Sequence, residues 1–205
     1  NIIDLCPVGA LTSKPYAFTA RPWELQKTET IDVMDGIGCN IRVDSKGNRV
    51  MRITPRENHF INEEWISDKS RFVWDGIRVQ RLDKPFKKVD GNFVTTSWED
   101  ALSIAAKKMQ TGKTTFVSGD MVSTEALYAA SKLSEYLDGA KVLGDLGTSF
   151  SLDGRSFYVG NGKIEDIDYA KNIILLGSNP RKEASVVNAR IRKAWLAGTT
   201  VYRLG

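Results

Sequence analysis

The period of the chain changes at Ser97, and that change limits the folds open to it. Before Ser97, apolar and polar residues alternate between tight turns. Ile41-Arg42-Val43-Asp44 and Arg49-Val50-Met51-Arg52-Ile53 flank Ser45-Lys46-Gly47-Asn48, which predicts a hairpin with one face toward a core. Phe86-Lys87-Lys88-Val89 and Asn92-Phe93-Val94 flank Asp90-Gly91, a pair suited to the positive φ angles of a type I′ turn. After Ser97 the spacing is helical. Ser97 is placed to cap a helix, Glu99 and Asp100 sit where the helix dipole favours acids, and Ala101, Leu102, Ala105, Ala106 and Met109 recur on one face. Then follow strand 114–118, helix 123–137 closed by Gly139, strand 141–143, strand 172–176, helix 183–196 closed by Gly198, and strand 199–204. Strands alternating with helices predict βαβ units and a mostly parallel sheet. The expected fold class is α/β: a small β-rich module leading into a doubly wound α/β domain. Residues 1–27 carry Pro7, Pro15, Pro22, Tyr16, Phe18 and Trp23 with little periodicity, predicting an irregular or short-helical segment packed against something else.

Several function classes are disfavoured by the bulk sequence. A chain of 205 residues can bury one large or two small cores. Its net charge of +4 is spread thinly, with pairs such as Lys87-Lys88, Lys107-Lys108 and Arg181-Lys182 but no concentrated basic patch, so no nucleic-acid partner is expected. Its longest apolar run, Ile173-Ile174-Leu175-Leu176, suits a buried strand and falls far short of the ~20 residues of a membrane span, so no direct membrane insertion is expected. Two cysteines make a disulfide framework an unlikely design and a reducing compartment the default. The chain begins at Asn1 without Met and stops just after an apparent strand, and we read it as a fragment of a longer protein.

Four positions carry the outline of a metal cage. The pattern C-x2-C-x3-C, followed by C-x-K-G-R-F, frames an iron–sulfur cluster. Here Asp32, Asp35, Cys39 and Ser67 stand at the four cysteine positions, the last within Ser67-Asp68-Lys69-Ser70-Arg71-Phe72. A 4Fe-4S cluster wants thiolates, so the frame reads as kept and the metal as lost, with no cluster expected at Cys39. A free cysteine behind Gly36 and Gly38 is the plainer reading of Cys39, and a hard-cation site at Asp32 and Asp35 lacks the oxygens that calcium requires. Cys6, in Leu5-Cys6-Pro7-Val8-Gly9-Ala10-Leu11, has two readings: the Pro-followed closing thiolate of a ferredoxin-type site, or a small buried hydrophobe. The loop Gly177-Ser178-Asn179-Pro180 lies where open α/β sheets bind ligands, with Gly119-Asp120 as a second candidate, yet neither is G-x-G-x-x-G or a P-loop, and a plain strand-to-helix turn also explains them. His59, the single histidine, sits among Glu57, Asn58, Asn62 and Glu63 and reads as a surface residue. Ser97 and Ser123 read as helix starts, not nucleophiles.

Taken together, these segments resemble the large iron–sulfur subunit family of respiratory complex I, NADH:quinone oxidoreductase. The resemblance covers essentially the whole chain. It is most specific in Cys6-Pro7-Val8-Gly9-Ala10-Leu11-Thr12-Ser13-Lys14-Pro15-Tyr16-Ala17-Phe18, Arg21-Pro22-Trp23-Glu24-Leu25 and Asn62-Glu63-Glu64-Trp65-Ile66-Ser67-Asp68-Lys69. Ser97-Trp98-Glu99-Asp100-Ala101-Leu102, Gly177-Ser178-Asn179-Pro180-Arg181 and Asn188-Ala189-Arg190-Ile191-Arg192-Lys193 also fit. That family is in turn similar to molybdopterin oxidoreductases. The resemblance implies three parts: the tail of a ferredoxin-like cluster-binding domain in 1–27, a β-rich degenerate 4Fe-4S Mo/W-bisMGD-type domain in 28–84, and the truncated start of a molybdopterin-oxidoreductase-like doubly wound parallel domain in 85–205.

By the same resemblance, Cys6 is the last thiolate of a 4Fe-4S cluster in the intact subunit, its partners lying upstream. A fragment with one ligand of four cannot hold that cluster and is predicted inactive alone. No molybdopterin is expected. Ser70 replaces the Gly of the C-x-K-G-R-F pattern, and Lys69, without a cluster to serve, is expected in a surface or structural ion pair. The implied partners are other complex I peripheral-arm subunits, on the cytoplasmic side of a bacterial inner membrane or the mitochondrial matrix side, with exposed apolar surface expected on residues 1–27. Two rival readings are a fragment of an active molybdopterin enzyme and a non-catalytic interaction module with vestigial sites.

Overall fold

The computed structural model describes residues 2–79, 81–119, 121–144, 154, 156, 159–160 and 162–205. It divides into two compact units: Asn1–Val79 with Val159–Gly205, and Gln80–Tyr158. Both candidate thiols lie in the first.

That first unit opens with a four-residue helix α1 (Ile2–Leu5) and an irregular stretch closed by a 3-10 turn at Pro22–Glu24. An antiparallel sheet follows in the order β1 (Gln26–Ile31), β2 (Asn40–Lys46), β3 (Arg49–Pro55). The β2–β3 hairpin is the predicted one, but its turn is only two residues long. Gly47 sits at φ 57° and Lys46 pairs with Arg49, with a register shift between Asp44 and Ser45. β1 went unpredicted. Its sequence, Gln-Lys-Thr-Glu-Thr-Ile, is exposed throughout and has no apolar face to declare it. Charged side chains on such an edge strand discourage pairing with other chains.

Helix α2 (Asp68–Phe72) then begins on Ser67, whose hydroxyl accepts from the Ser70 N–H at 3.1 Å. In the second unit, β4 (Phe86–Val89) and β5 (Asn92–Thr95) form the predicted hairpin. Asp90 at φ 49° and Gly91 at φ 85° supply the two positive angles of its turn. Ser97 and Ser123 cap α3 (Trp98–Thr111) and α4 (Thr124–Glu135) by accepting from the Asp100 and Ala126 N–H groups. β6 (Thr115–Ser118) pairs in parallel with β7 (Lys141–Gly144) in that unit. The first unit is completed by β8 (Asn172–Leu176), α5 (Pro180–Glu183), α6 (Ser185–Leu196) and β9 (Thr200–Leu204), with β8 and β9 parallel. The helix expected over 183–196 is thus two pieces. Pro180 starts the first early, at a position where its missing N–H costs nothing, and Ala184 at φ −145° breaks the run. The fold is mixed α/β with small sheets. Among the described residues the parallel strands form two pairs, β6–β7 and β8–β9, each within its own unit.

One apolar cluster fixes the first unit: Cys39, Ile41, Ile53, Ile66, Trp74 and Val186, flanked by Ile37, Val43, Val50 and Trp65. Burying an aliphatic side chain of this size contributes about 1.5–3 kcal/mol. Val186 comes from α6, so the sheet built by the first 79 residues is sealed by a helix from the far end of the chain.

Polar locks supplement the apolar ones. Asn62 is fully buried; its Oδ1 accepts from the Asn40 N–H at 2.9 Å and its Nδ2 donates to the Arg56 and Trp65 carbonyls at 3.0 and 3.1 Å. Arg190, also buried, donates to Asp168 at 2.6 Å and to the His59 carbonyl at 2.7 Å. Two of the segments that carry the resemblance, 62–69 and 188–193, therefore contain residues that hold this unit together.

Candidate metal centre

The loop from Ile31 to Asn40 joins two hydrogen-bonded strands, and it bends through side chain–backbone turns. Asp32 Oδ1 accepts from the Met34 N–H at 2.9 Å, and Asp35 Oδ1 accepts from the Ile37 N–H at 3.2 Å. The Asp32 N–H donates to the Cys39 carbonyl at 2.8 Å, closing the loop. Asp32, Asp35 and Cys39 thereby converge, with one ligand-capable atom of each lying within 4.8 Å of the others. Ser67 arrives from the cap of α2. Its hydroxyl lies 2.9 Å from that of Ser70, which donates to Asp32 Oδ2. The fourth corner of the frame is thus linked to the first through Ser70.

This donor set does not fit a 4Fe-4S cluster. Cys39 has no exposed surface, and burial pushes its thiol pKa well above the ordinary value. The hydrogen bond to Asp35 and the negative charges of Asp35 and Asp32 push it the same way. The thiol stays protonated and donates to Asp35 Oδ2 at 2.9 Å. A cluster ligand must be a thiolate, and the other three corners are two carboxylates and a hydroxyl. The corner side chains bond to one another or, through Ser70, across the cage. Ser70 was overlooked as a member of the site. The signal was present in its departure from Gly after Lys69, since only a side chain there can reach Asp32.

Cys6 has the opposite surroundings. It follows α1, is half-buried, and heads a loop that turns back through Gly9 at φ 67°. The backbone N–H of Leu11 draws its thiol pKa below the ordinary value; partial burial opposes this, and the N–H groups of Ala10, Val8 and Gly9 reinforce it. Cys6 lines a cavity of about 200 Å³ together with Asp4, Tyr16, Arg52 and Arg71. Arg71, only 6% exposed, grips Asp4 through both terminal nitrogens at 3.0 and 2.5 Å. Arg52 stacks 4.6 Å from the Tyr16 ring centroid and bonds the fully buried Asp44 at 2.7 Å. A half-open thiol with backbone donors around it fits a metal-ligating thiolate.

The remaining candidates fall elsewhere. The Gly177–Pro180 loop extends the parallel ladder, the Gly177 N–H donating to Leu204 at 2.8 Å, and the Asn179 N–H donates to Glu183 at 3.2 Å. Arg181, Lys182 and Glu183, just after it, face Asp35, Asp68 and Lys69 across a cleft of about 550 Å³. Lys69 departs from expectation: it is exposed on this cleft, and among the described residues it makes no ion pair. Adjacent helix positions do not face each other, and Asp68 is turned toward Arg71, 3.8 Å away. Gly119 belongs to the second unit, and Asp120 lies outside the described residues. His59 is exposed and pairs with Glu57 at 2.8 Å.

Residues 81–205 match the molybdopterin oxidoreductase family, and the chain belongs to it. Residues 25–75 match the NADH-ubiquinone oxidoreductase NDSU1/NuoG-like, 4Fe-4S domain, which spans the cage just described. Among particular relatives, the NADH-ubiquinone oxidoreductase 78 kDa subunit of Candida albicans is 50% identical over 96% of this chain. The NADH-ubiquinone oxidoreductase 75 kDa subunit of Reclinomonas americana is 42% identical over 100% of this chain. The NADH dehydrogenase [ubiquinone] iron-sulfur protein 1 of Solanum tuberosum is 47% identical over 94%. The chain spans 28%, 32% and 27% of the lengths of these three curated relatives.

Proposed function

We propose that this chain is part of the large iron–sulfur subunit of a complex I-type NADH:quinone oxidoreductase, in which electrons pass from NADH to quinone through iron–sulfur clusters. One observation carries this reading. Of the two thiols, Cys6 sits in a loop of backbone donors that favours the thiolate, while Cys39 is buried and held protonated. Cys6 supplies one ligand to a 4Fe-4S cluster of the intact subunit, and the match to a 4Fe-4S domain together with the relatives' names supports a cluster protein. Such a cluster supplies one-electron transfer. The chain's own part is to present the Cys6 sulfur on a fixed loop, to shield it on one side, and to set the charge around it. The Asp32–Asp35–Cys39–Ser67 frame is read as scaffold.

The same reading divides the chain into the tail of a ferredoxin-like domain in 1–27, a degenerate 4Fe-4S module in 28–84, and the start of a doubly wound domain in 85–205 that binds no molybdopterin. Its partners are other peripheral-arm subunits, on the matrix or cytoplasmic side. Phe18, Trp23, Val8 and Leu11, all exposed in the first 25 residues, supply apolar surface for such neighbours. No helix among the described residues is long and apolar enough to cross a membrane. The test is EPR of the reduced full-length subunit. Cys6→Ala is expected to abolish one 4Fe-4S signal while Cys39→Ala leaves every signal in place. A spectrum unchanged by Cys6→Ala would reject the reading.

A further inference from the structure

We infer that Phe18 and Trp23 anchor a docking surface for an acidic ridge on another subunit, a segment that sets carboxylates beside an apolar side chain. The inference deepens, and rests on, the reading of this chain as part of a subunit of a larger assembly. The first support is the way the two rings are held. Phe18 is fully exposed and Trp23 is 80% exposed, yet both sit in tightly bonded turns. Phe18 holds φ 63°, a left-handed conformation that is rare for a bulky residue. Bonds on both sides keep it there. The Ala17 N–H donates to the Ser13 carbonyl at 2.7 Å, and the Thr19 hydroxyl donates to the Tyr16 carbonyl at 2.6 Å. Trp23 lies in the Pro22–Glu24 turn, where Glu24 accepts from the Arg21 N–H and from Lys46, each at 2.8 Å. Rings fixed in this way lose little freedom when a partner covers them.

Shape and charge define that partner. Beside Phe18 opens a hollow of about 500 Å³, and the residues flanking Trp23, Pro22 and Glu24, help to line it. Its floor is firm, because Tyr16 is stacked 4.6 Å from the Arg52 guanidinium. Such a hollow takes a protruding segment of protein, whereas a flat lipid surface leaves it unfilled. The unmatched charge has one sign. From residue 8 to residue 28 the charged residues are Lys14, Arg21, Glu24 and Lys27. Glu24 is engaged by Lys46, and the buried Asp44 is engaged by Arg42 and Arg52. Lys14, Arg21 and Lys27 form no ion pair among the described residues. Carboxylates that match them must come from the partner.

The test uses the full-length subunit in its assembled enzyme. With Phe18→p-benzoylphenylalanine, photo-cross-linking and peptide mass spectrometry are expected to find a peptide of a different subunit, with Asp or Glu flanking the joined apolar residue. Adducts only within the same subunit, to a second copy, to lipid, or to a peptide without acids would overturn the inference, as would no adduct. Phe18→Asn tolerates the left-handed backbone and removes the ring. It is expected to keep the melting temperature of the subunit and to release the subunit from the enzyme about tenfold faster in a salt wash. Arg21→Glu is expected to speed release similarly at low salt and far less at high salt, because screening already weakens the parent contact. Release at the parent rate in both variants, or a lowered melting temperature for Phe18→Asn at the parent release rate, would assign Phe18 a role within its own fold and overturn the inference. A subunit that purifies with no other subunit defeats the underlying reading as well; one that purifies in the enzyme but fails these tests defeats this inference alone.

Discussion

Two thiols in one unit are pushed in opposite directions: Cys39, closed in among carboxylates, holds its proton more tightly than a free thiol, and Cys6, ringed by backbone donors, holds its proton less tightly. For Cys39 this has a consequence for stability. Its thiol pKa is raised on folding, so below about pH 9, the ordinary thiol value, both folded and unfolded chains hold the proton and the contribution is complete. Above that pH the unfolded chain releases a proton that the folded chain retains, and folding stability declines as pH rises. One such proton gives a slope of about 1.4 kcal/mol per pH unit. Urea denaturation between pH 8 and 10.5 is expected to show this extra slope in the parent and not in Cys39→Ala. Equal slopes would mean the thiol ionises on folding as it does in solution. How legible this site was depended on the residue. Asp32, Asp35, Cys39 and Ser67 were readable because their spacing preserves a cluster pattern. Ser70 was legible only as a departure from the Gly of that pattern, and its partner was not, because a hydroxyl reaching a carboxylate 38 positions earlier leaves no trace in local spacing. The Arg71–Asp4 pair, 67 positions apart, was hidden for the same reason.

Helix α2 is the element on which both thiol environments meet, although it is only five residues long. Too short to be stable by propensity, it depends on its cap and on packing. Ser67 both caps it and bonds Ser70, so Ser67→Ala is expected to cost about 1–2 kcal/mol in denaturation midpoint measurements. Ser67→Asn, which keeps a capping acceptor, is expected to recover most of the loss; a loss equal to that of alanine would remove the cap from the explanation. Other elements were plain in the sequence wherever a local rule decided them. Asp90-Gly91, Ser97 and Ser123 behave as their turn and cap chemistry requires. β1 failed to announce itself because it pairs at an edge with no buried face, and Ala184 interrupts a helix that spacing alone joins into one. The single sheet expected downstream was inferred from alternation, a pattern that says which strands exist but not which of them pair.

At the scale of the molecule, the first unit is assembled from both ends of the chain. Ile66 and Cys39 share a cluster with Val186, and Arg190 bridges Asp168 to the carbonyl of His59. A chain ending at Val79 therefore retains the sheet and α2 but lacks the helix that covers the cluster. In native buffer near pH 8.5, iodoacetamide is expected to modify Cys6 but spare Cys39 in the full chain, and to modify both in the shortened one. Protection of Cys39 in the shortened chain would show that the sheet closes over it unaided.

The same arrangement governs how the protein is made. A ribosome delivers the hairpin and the cage long before it delivers residues 185–196, so the early half waits with its apolar face uncovered. During that interval the nascent segment is open to aggregation and is a natural client for chaperones. Translation pauses or truncations before helix α6 should be felt most strongly at the hairpin and the cage, which it covers.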